Sequence, residues 1–191
     1  DLSPAGHQPM ASPSGRFVLV YNGEIYNHGA LRVDLQGMGD WRWRGHSDTE
    51  TLLAGFEAWG FEATIRKVVG MFAFALWDRQ TQELTLGRDR LGEKPLYYGW
   101  QGSGSHAVFL FGSELKALKA HPAFQAPINR DALALMMRHN AIAAPHSIYQ
   151  GIHKLLPGST LTVSLRHRVA QPQRYWDVRD VVADGLANPF Q

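Results

Sequence analysis

No cysteine occurs among the 191 residues. Disulfides, thiolate metal sites and a thiol nucleophile within these residues are thereby excluded. Charge of one sign is not in excess: 19 Lys and Arg face 17 Asp and Glu, a formal net charge of +2. No basic block dominates, so the electrostatic footprint of a nucleic-acid binder is missing. No apolar run approaches the roughly 20 residues of a membrane span, and no secretory leader is expected. A cytoplasmic address is expected, with neither nucleic acid nor membrane as partner. Nine histidines are present, but none forms a His-x-x-x-His pair, and no metal site is expected. A Gly-x-Ser-x-Gly elbow, a phosphate-binding glycine loop, internal repeats and low-complexity tracts are also absent.

What remains is an ordinary globular balance, 45% hydrophobic and 19% charged. The length suits one substantial domain, or one domain with a short extension. Asp1 in place of Met leads us to expect a piece of a longer chain.

Strands are expected over 16–21, 71–77, 83–88, 97–101, 108–111 and 159–165. The run from Met71 to Trp77 is continuously apolar, as a strand covered on both faces should be. Ser47-Asp48-Thr49-Glu50 reads as a capping box opening a helix, with Leu52, Leu53, Phe56 and Trp59 at helical spacing. Shorter helices are expected at 27–36, capped by Asn27, at 61–69, at 113–120, capped by Ser113, and at 130–139, with Leu133, Met136 and Met137 facing inward. Trp41 to Arg44 reads as a short strand-like run. Periodicity fades after Asp180, as in a linker.

Two stretches concentrate polar chemistry. In Val18–Glu24, VLVYNGE, a strand runs into Asn22-Gly23. The dipeptide between apolar runs is ordinarily a hairpin turn. It also offers a side-chain amide and an unshielded backbone N–H, two neutral donors suited to an oxyanion. Glu24 can pair with a ligand cation. Asp48, in the first turn of its helix, reads either as a simple cap or as an acceptor for a ligand ammonium. In Arg88–Tyr98, charges crowd around Gly92 and Pro95. Arg88, Asp89, Gly92 and Lys94 read either as a surface cluster or as an ordered loop beside a functional cleft or domain junction.

Taken together, several motifs carry a resemblance. Asp1 to Met10, Tyr21 to Asn27, Ser47 to Glu50, Gly70 to Asp78, Arg88 to Tyr98, Ser113 to Leu118 and Lys154 to Gly158 occur in one order. In that order they resemble the glutaminase domain, a class II glutamine amidotransferase, of glutamine-hydrolysing asparagine synthase. The resemblance implies an α+β fold of the N-terminal-nucleophile hydrolase type, a four-layer αββα sandwich of two antiparallel sheets, here without its first segment. It also implies a glutaminase domain over 1–165 and, over 166–191, the start of a linker toward an ATP-dependent synthetase domain.

The chemistry the resemblance implies is thiolate attack on the glutamine side-chain amide, release of ammonia and hydrolysis of the thioester. Asn22 and Gly23 would then supply the oxyanion donors. Glu24 and Asp48 would hold the substrate ammonium, and an arginine upstream of Asp1 its carboxylate. The nucleophilic cysteine is absent here, so this chain alone is expected to be inactive. No cofactor is expected within it; ATP and Mg belong to the synthetase domain, where aspartate would be amidated to asparagine. Relatives that amidate other carboxylates, in polysaccharide or antibiotic pathways, and scaffold relatives without the cysteine are the alternatives. Expected partners are glutamine and the synthetase domain, with a homodimer admitted.

Overall fold

The computed structural model describes residues 3–166, 168–169 and 171–189. Asp1 and Leu2 of the first motif, and His167, Ala170, Phe190 and Gln191 of the expected linker, lie outside the described residues.

Alternation of side chains across a pleated strand decides the first layer. In β2 (Phe17–Ile25), Phe17, Leu19, Tyr21 and Ile25 point to one face and are buried. Helices α1 (His28–Gln36), α2 (Asp48–Ala58) and α3 (Phe61–Lys67) cover that face. Leu31, Leu52, Leu53, Phe56 and Ile65 meet there with Phe72, Phe74 and Leu76 of β3 (Gly70–Asp78). Hairpin partner β4 (Glu83–Arg88) follows β3. The chain then leaves to build β5 (Tyr97–Gln101), β6 (Val108–Gly112) and β7 (His153–Lys154). It returns as β8 (Ser159–Val163) and β9 (Gln173–Arg174). With β1 (Met10–Ala11) at the edge, the first sheet is ordered β1-β2-β3-β4-β8-β9 and the second β6-β5-β7. All pairings are antiparallel.

The second face of the large sheet presents Ala73, Ala75, Leu161 and Val163 to Tyr98, Phe109 and Phe111 of the small one. Beyond the small sheet, Leu110 and Ile152 pack on Leu118 of α4 (Leu115–Lys119), beside Phe124 and Tyr149. Helices, sheet, sheet and an outer layer thus stack in order, the αββα arrangement expected.

Several local expectations are corrected. Asn22-Gly23 is not a turn: β2 runs through it in unbroken register with β3, Asn22 opposite Ala73 and Gly23 opposite Phe72. Trp41–Arg44 forms no strand; Arg32 stacks on Trp43 at 4.1 Å and fixes that loop instead. Glu50 does not close the box onto Ser47; its carboxylate accepts from the Arg44 and Gly45 N–H groups at 2.8 and 3.1 Å. Ser113 caps no helix, since α4 begins at Leu115. Asn27 stands at the N-cap position of α1 as expected, but its side chain makes no capping bond and instead bridges Lys67 O and Val69 N–H. On α5 (Arg130–His139), Leu133, Met136 and Met137 are exposed and only Ala132 is buried. Where periodicity reads as fading, α6 (Val178–Ala187) forms, N-capped by Asp177, with Val178, Val181, Val182 and Leu186 exposed along it.

Candidate functional site

The edge of β2 is where the motifs converge. In β2 the odd-numbered N–H groups point away from β3. Phe17 donates to Ser12 Oγ at 3.1 Å, Tyr21 to Gln8 Oε1 at 2.6 Å and Ile25 to Asp48 Oδ2 at 2.8 Å. Tyr26, one residue on, donates to Val69 O on the other side. The two-residue period puts the Gly23 N–H on the same edge as those of Tyr21 and Ile25, between Gln8 and Asp48. β1 pairs only with Val18 and Leu19, so the ladder on that side ends before Gly23.

Glycine is required at this position for a steric reason. A Cβ there would overlap the Met71 carbonyl oxygen and the Phe72 Cα. The strands are in direct backbone contact, and the donor's place is set by β3.

Asn22 faces the small sheet. Its Nδ2 donates to Ser113 Oγ at 3.2 Å, at the mouth of a cleft of about 190 Å³ between Val20, Ala73, Ala75, Leu96 and Phe111. An amide carries two N–H bonds, so one donor remains after Ser113 is served. Ser113, read from the sequence as a helix cap, is therefore a neighbour of the site instead.

Asp48 stands at the far end of the open edge, where its carboxylate fastens the start of α2. Oδ2 accepts from Tyr21 OH and Ile25 N–H, both at 2.8 Å, and Oδ1 from Thr49 N–H at 2.8 Å. These bonds fasten the start of α2 to β2, while Ser47 Oγ accepts from Thr49 N–H as the true N-cap. Thr49 Oγ1 also reaches Oδ1, at 3.5 Å, the longest of the four contacts and the one a ligand donor would displace from a carboxylate with about four acceptor positions. Burial, and then Asp48 itself, push the Tyr21 phenol far above its ordinary range, so it stays a donor. Tyr21 and Gln8 lie inside the motifs that carry the resemblance, but no role is legible there for either; the odd-face position of Tyr21, shared with Ile25, is the pattern that points to its part.

Glu24 is exposed next to this edge. The rim is acidic: the Tyr26 phenol is raised by local desolvation and by Glu93, Glu24 and Asp89. Behind the rim, Arg32 holds the loop leading into α2. It donates to Gly45 O and Ser47 O, both at 3.0 Å, and to Thr51 Oγ1 at 2.8 Å.

The Arg88–Lys94 segment is not a surface cluster. Arg88 is buried, and its guanidinium donates to the carbonyls of Lys94, Leu155 and Gly92 at 2.7, 2.6 and 2.6 Å. Burial lowers its pKa. Gly92 takes φ of +72°, and a Cβ there would crowd Pro157 and Arg88. Arg88, Asp89, Gly92 and Lys94 come together as one knot, and β3 lies between it and the β2 edge. Among the described residues no group of three or more His, Asp or Glu could hold a metal ion, and no helix is long and apolar enough to cross a membrane.

A family model described as "Glutamine amidotransferase domain" matches residues 1–176. Asparagine synthetase [glutamine-hydrolyzing] 3 of Bacillus subtilis is 38% identical over 191 residues, covering 96% of this chain and 30% of that protein. Asparagine synthetase [glutamine-hydrolyzing] 2 of the same organism is 30% identical over 182 residues, covering 93% and 23%. The chain thus spans about a third or less of the length of these relatives. Among solved structures, glutamine phosphoribosylpyrophosphate amidotransferase from B. subtilis superposes with a TM-score of 0.59 at 20% identity, covering 88% of this chain and 32% of that one. A structure titled as the allosteric regulatory enzyme of purine biosynthesis gives 0.62 at 20% identity, covering 90% and 32%. These two share the N-terminal-nucleophile hydrolase fold with this chain.

Proposed function

We infer from one premise, that the chain belongs to the glutamine amidotransferase domain family, that it is the glutaminase portion of a glutamine-hydrolysing asparagine synthase. The observation that carries this reading is the Asn22-Gly23 pair. One donor lies along an open strand edge, the other at the mouth of the inter-sheet cleft, and both are fixed by β3.

In the proposed reaction a thiolate attacks the side-chain amide carbon of glutamine. The carbonyl π pair moves onto oxygen, and Asn22 Nδ2 and the Gly23 N–H stabilise that oxyanion. The amide nitrogen takes a proton and leaves as ammonia, and water hydrolyses the thioester to glutamate. Glu24 and Asp48 hold the substrate ammonium. The nucleophile is not among these residues, since the chain has no cysteine.

The domain is proposed to extend through Trp176, because β9 joins the sheet and Tyr175 is buried in the first core cluster; the segment after it leads toward a synthetase domain. ATP and Mg, bound by that domain, would activate aspartate for the ammonia. A cytoplasmic address and a homodimer complete the proposal.

The test uses the full-length enzyme. Glutamine-dependent ammonia release and ATP- and aspartate-dependent asparagine formation are measured beside Asn22→Ala. Wild type is expected to make asparagine from glutamine, and Asn22→Ala only from added ammonia, with glutaminase kcat down about 10²–10³-fold. A wild type that uses no glutamine, or an Asn22→Ala that uses it unimpaired, overturns the reading.

A further inference from the structure

Asp89 is completely buried, yet among the described residues it forms no ion pair. Its charge is met by backbone donors. Oδ1 accepts from Leu91 and Glu93 N–H at 3.1 and 2.9 Å, and Oδ2 from Phe72 and Lys94 N–H at 3.2 and 2.9 Å. Its own N–H donates to Phe72 O at 2.8 Å, and its carbonyl accepts from Gly92 and Gly158 N–H. The β3–β4 ladder ends at the pair Ala73–Arg88. One residue further, Asp89 grips both backbone groups of Phe72.

Phe72 is also the residue opposite Gly23. Across the sheet the order is Asp89, Phe72, Gly23, and then the open edge. The Gly23–Phe72 contact leaves no space for even a Cβ, so a displacement of the Phe72 backbone passes directly to the Gly23 N–H. Close-packed interiors transmit such shifts, and donor placement within fractions of an ångström decides transition-state stabilisation.

We propose that Asp89 is a positioning residue: through its hold on Phe72 it fixes the Gly23 N–H as an oxyanion donor. This rests on the glutaminase reading above. Asp89 touches no substrate, and its effect falls on the transition state rather than on glutamine binding.

The experiment compares wild type, Asp89→Asn and Asp89→Glu in the full-length enzyme. Asparagine formation from added ammonia reports the fold. Three further readouts are glutamine kcat, glutamine KM and inhibition by L-glutamate γ-semialdehyde, an aldehyde whose thiol adduct is tetrahedral like the intermediate. Asp89→Asn is expected to lower kcat by about tenfold or more, with KM within about threefold. It should weaken the aldehyde by a matching factor and leave ammonia-dependent synthesis near wild type. Asp89→Glu, which keeps the charge, should recover part of both losses. A kcat within about twofold of wild type, or a change in KM alone, overturns the proposal. If Asp89→Asn loses ammonia-dependent synthesis as well, Asp89→Glu decides on the same readouts. A wild type that hydrolyses no glutamine sinks the glutaminase reading itself, and the Asp89 proposal with it; a wild type that hydrolyses glutamine, with variants that do so equally well, sinks the Asp89 proposal alone.

Discussion

Gly23 joins chemistry to packing more tightly than any other single residue of the site. The Cα hydrogen at its side-chain position faces the Met71 carbonyl and the Phe72 Cα, so Gly23→Ala must separate β2 from β3 or twist β2. Overpacking of this kind costs about 1–3 kcal/mol. The expected outcome is a lower denaturant midpoint together with loss of glutamine-dependent activity, while ammonia-dependent synthesis survives. Urea unfolding and the two assays in parallel would check it. Phe56 makes a simpler case. It is 2% exposed, stacks on Phe61 and meets Phe17 and Phe74 at a tilt. Phe56→Ala should cost about 3–5 kcal/mol, read as a shift in the same urea curve with an unchanged slope.

Elements show how far the sequence could be read. β3 was legible because both its faces are covered, which leaves an unbroken apolar run; α2 was legible because Ser47 caps it and its apolar residues recur at helical spacing. Asn22-Gly23 was not, because the turn preference of an Asn-Gly pair is local, while nine consecutive pairings with β3 override it. The apolar side chains of α5 gave a core pattern that the tertiary structure leaves bare, and α6 was missed although Val178, Val181, Val182 and Leu186 keep helical spacing. Of the site, Asn22, Gly23, Glu24 and Asp48 were visible as motif positions. Tyr21, Gln8 and Ser113 lie in motifs too, but their part in the site was not legible, since it depends on strand edge and sheet stacking.

At the end of the β3–β4 hairpin, Asp78 ties β3 to the start of β2 through Arg16, at 2.7 Å. Burial pushes its carboxyl up, but the bond from Arg16 and the N–H groups of Gln80 and Thr81 outweigh it, and the net shift is downward. A carboxylate with a depressed folded pKa contributes stability above its unfolded value of about 3.9 and loses it as pH falls through the folded one. Asp78→Asn should therefore lower stability at pH 7 and flatten the acid limb below about pH 4, where variant and wild type converge. Melting curves across pH 2–7 would show whether it does.

For the whole molecule, the composition sets a firm expectation: without cysteine, the 191-residue chain should release no ammonia from glutamine. A coupled glutamate dehydrogenase assay on the purified chain checks this, and steady turnover would refute it. The sheet order has a further consequence, for time rather than for structure. β1 to β4 can pair as a meander while the chain emerges, but β4 must then wait. Leu84 finds Val163 only after about 80 residues have been made and the second sheet has been laid down between them. Closing so long a loop is entropically slow. Until β8 arrives, the open flank of β4 is a free strand edge of the kind that pairs with other chains. The interval between synthesis of Arg88 and of Val163 is thus the period when this edge is most open to pairing with another chain.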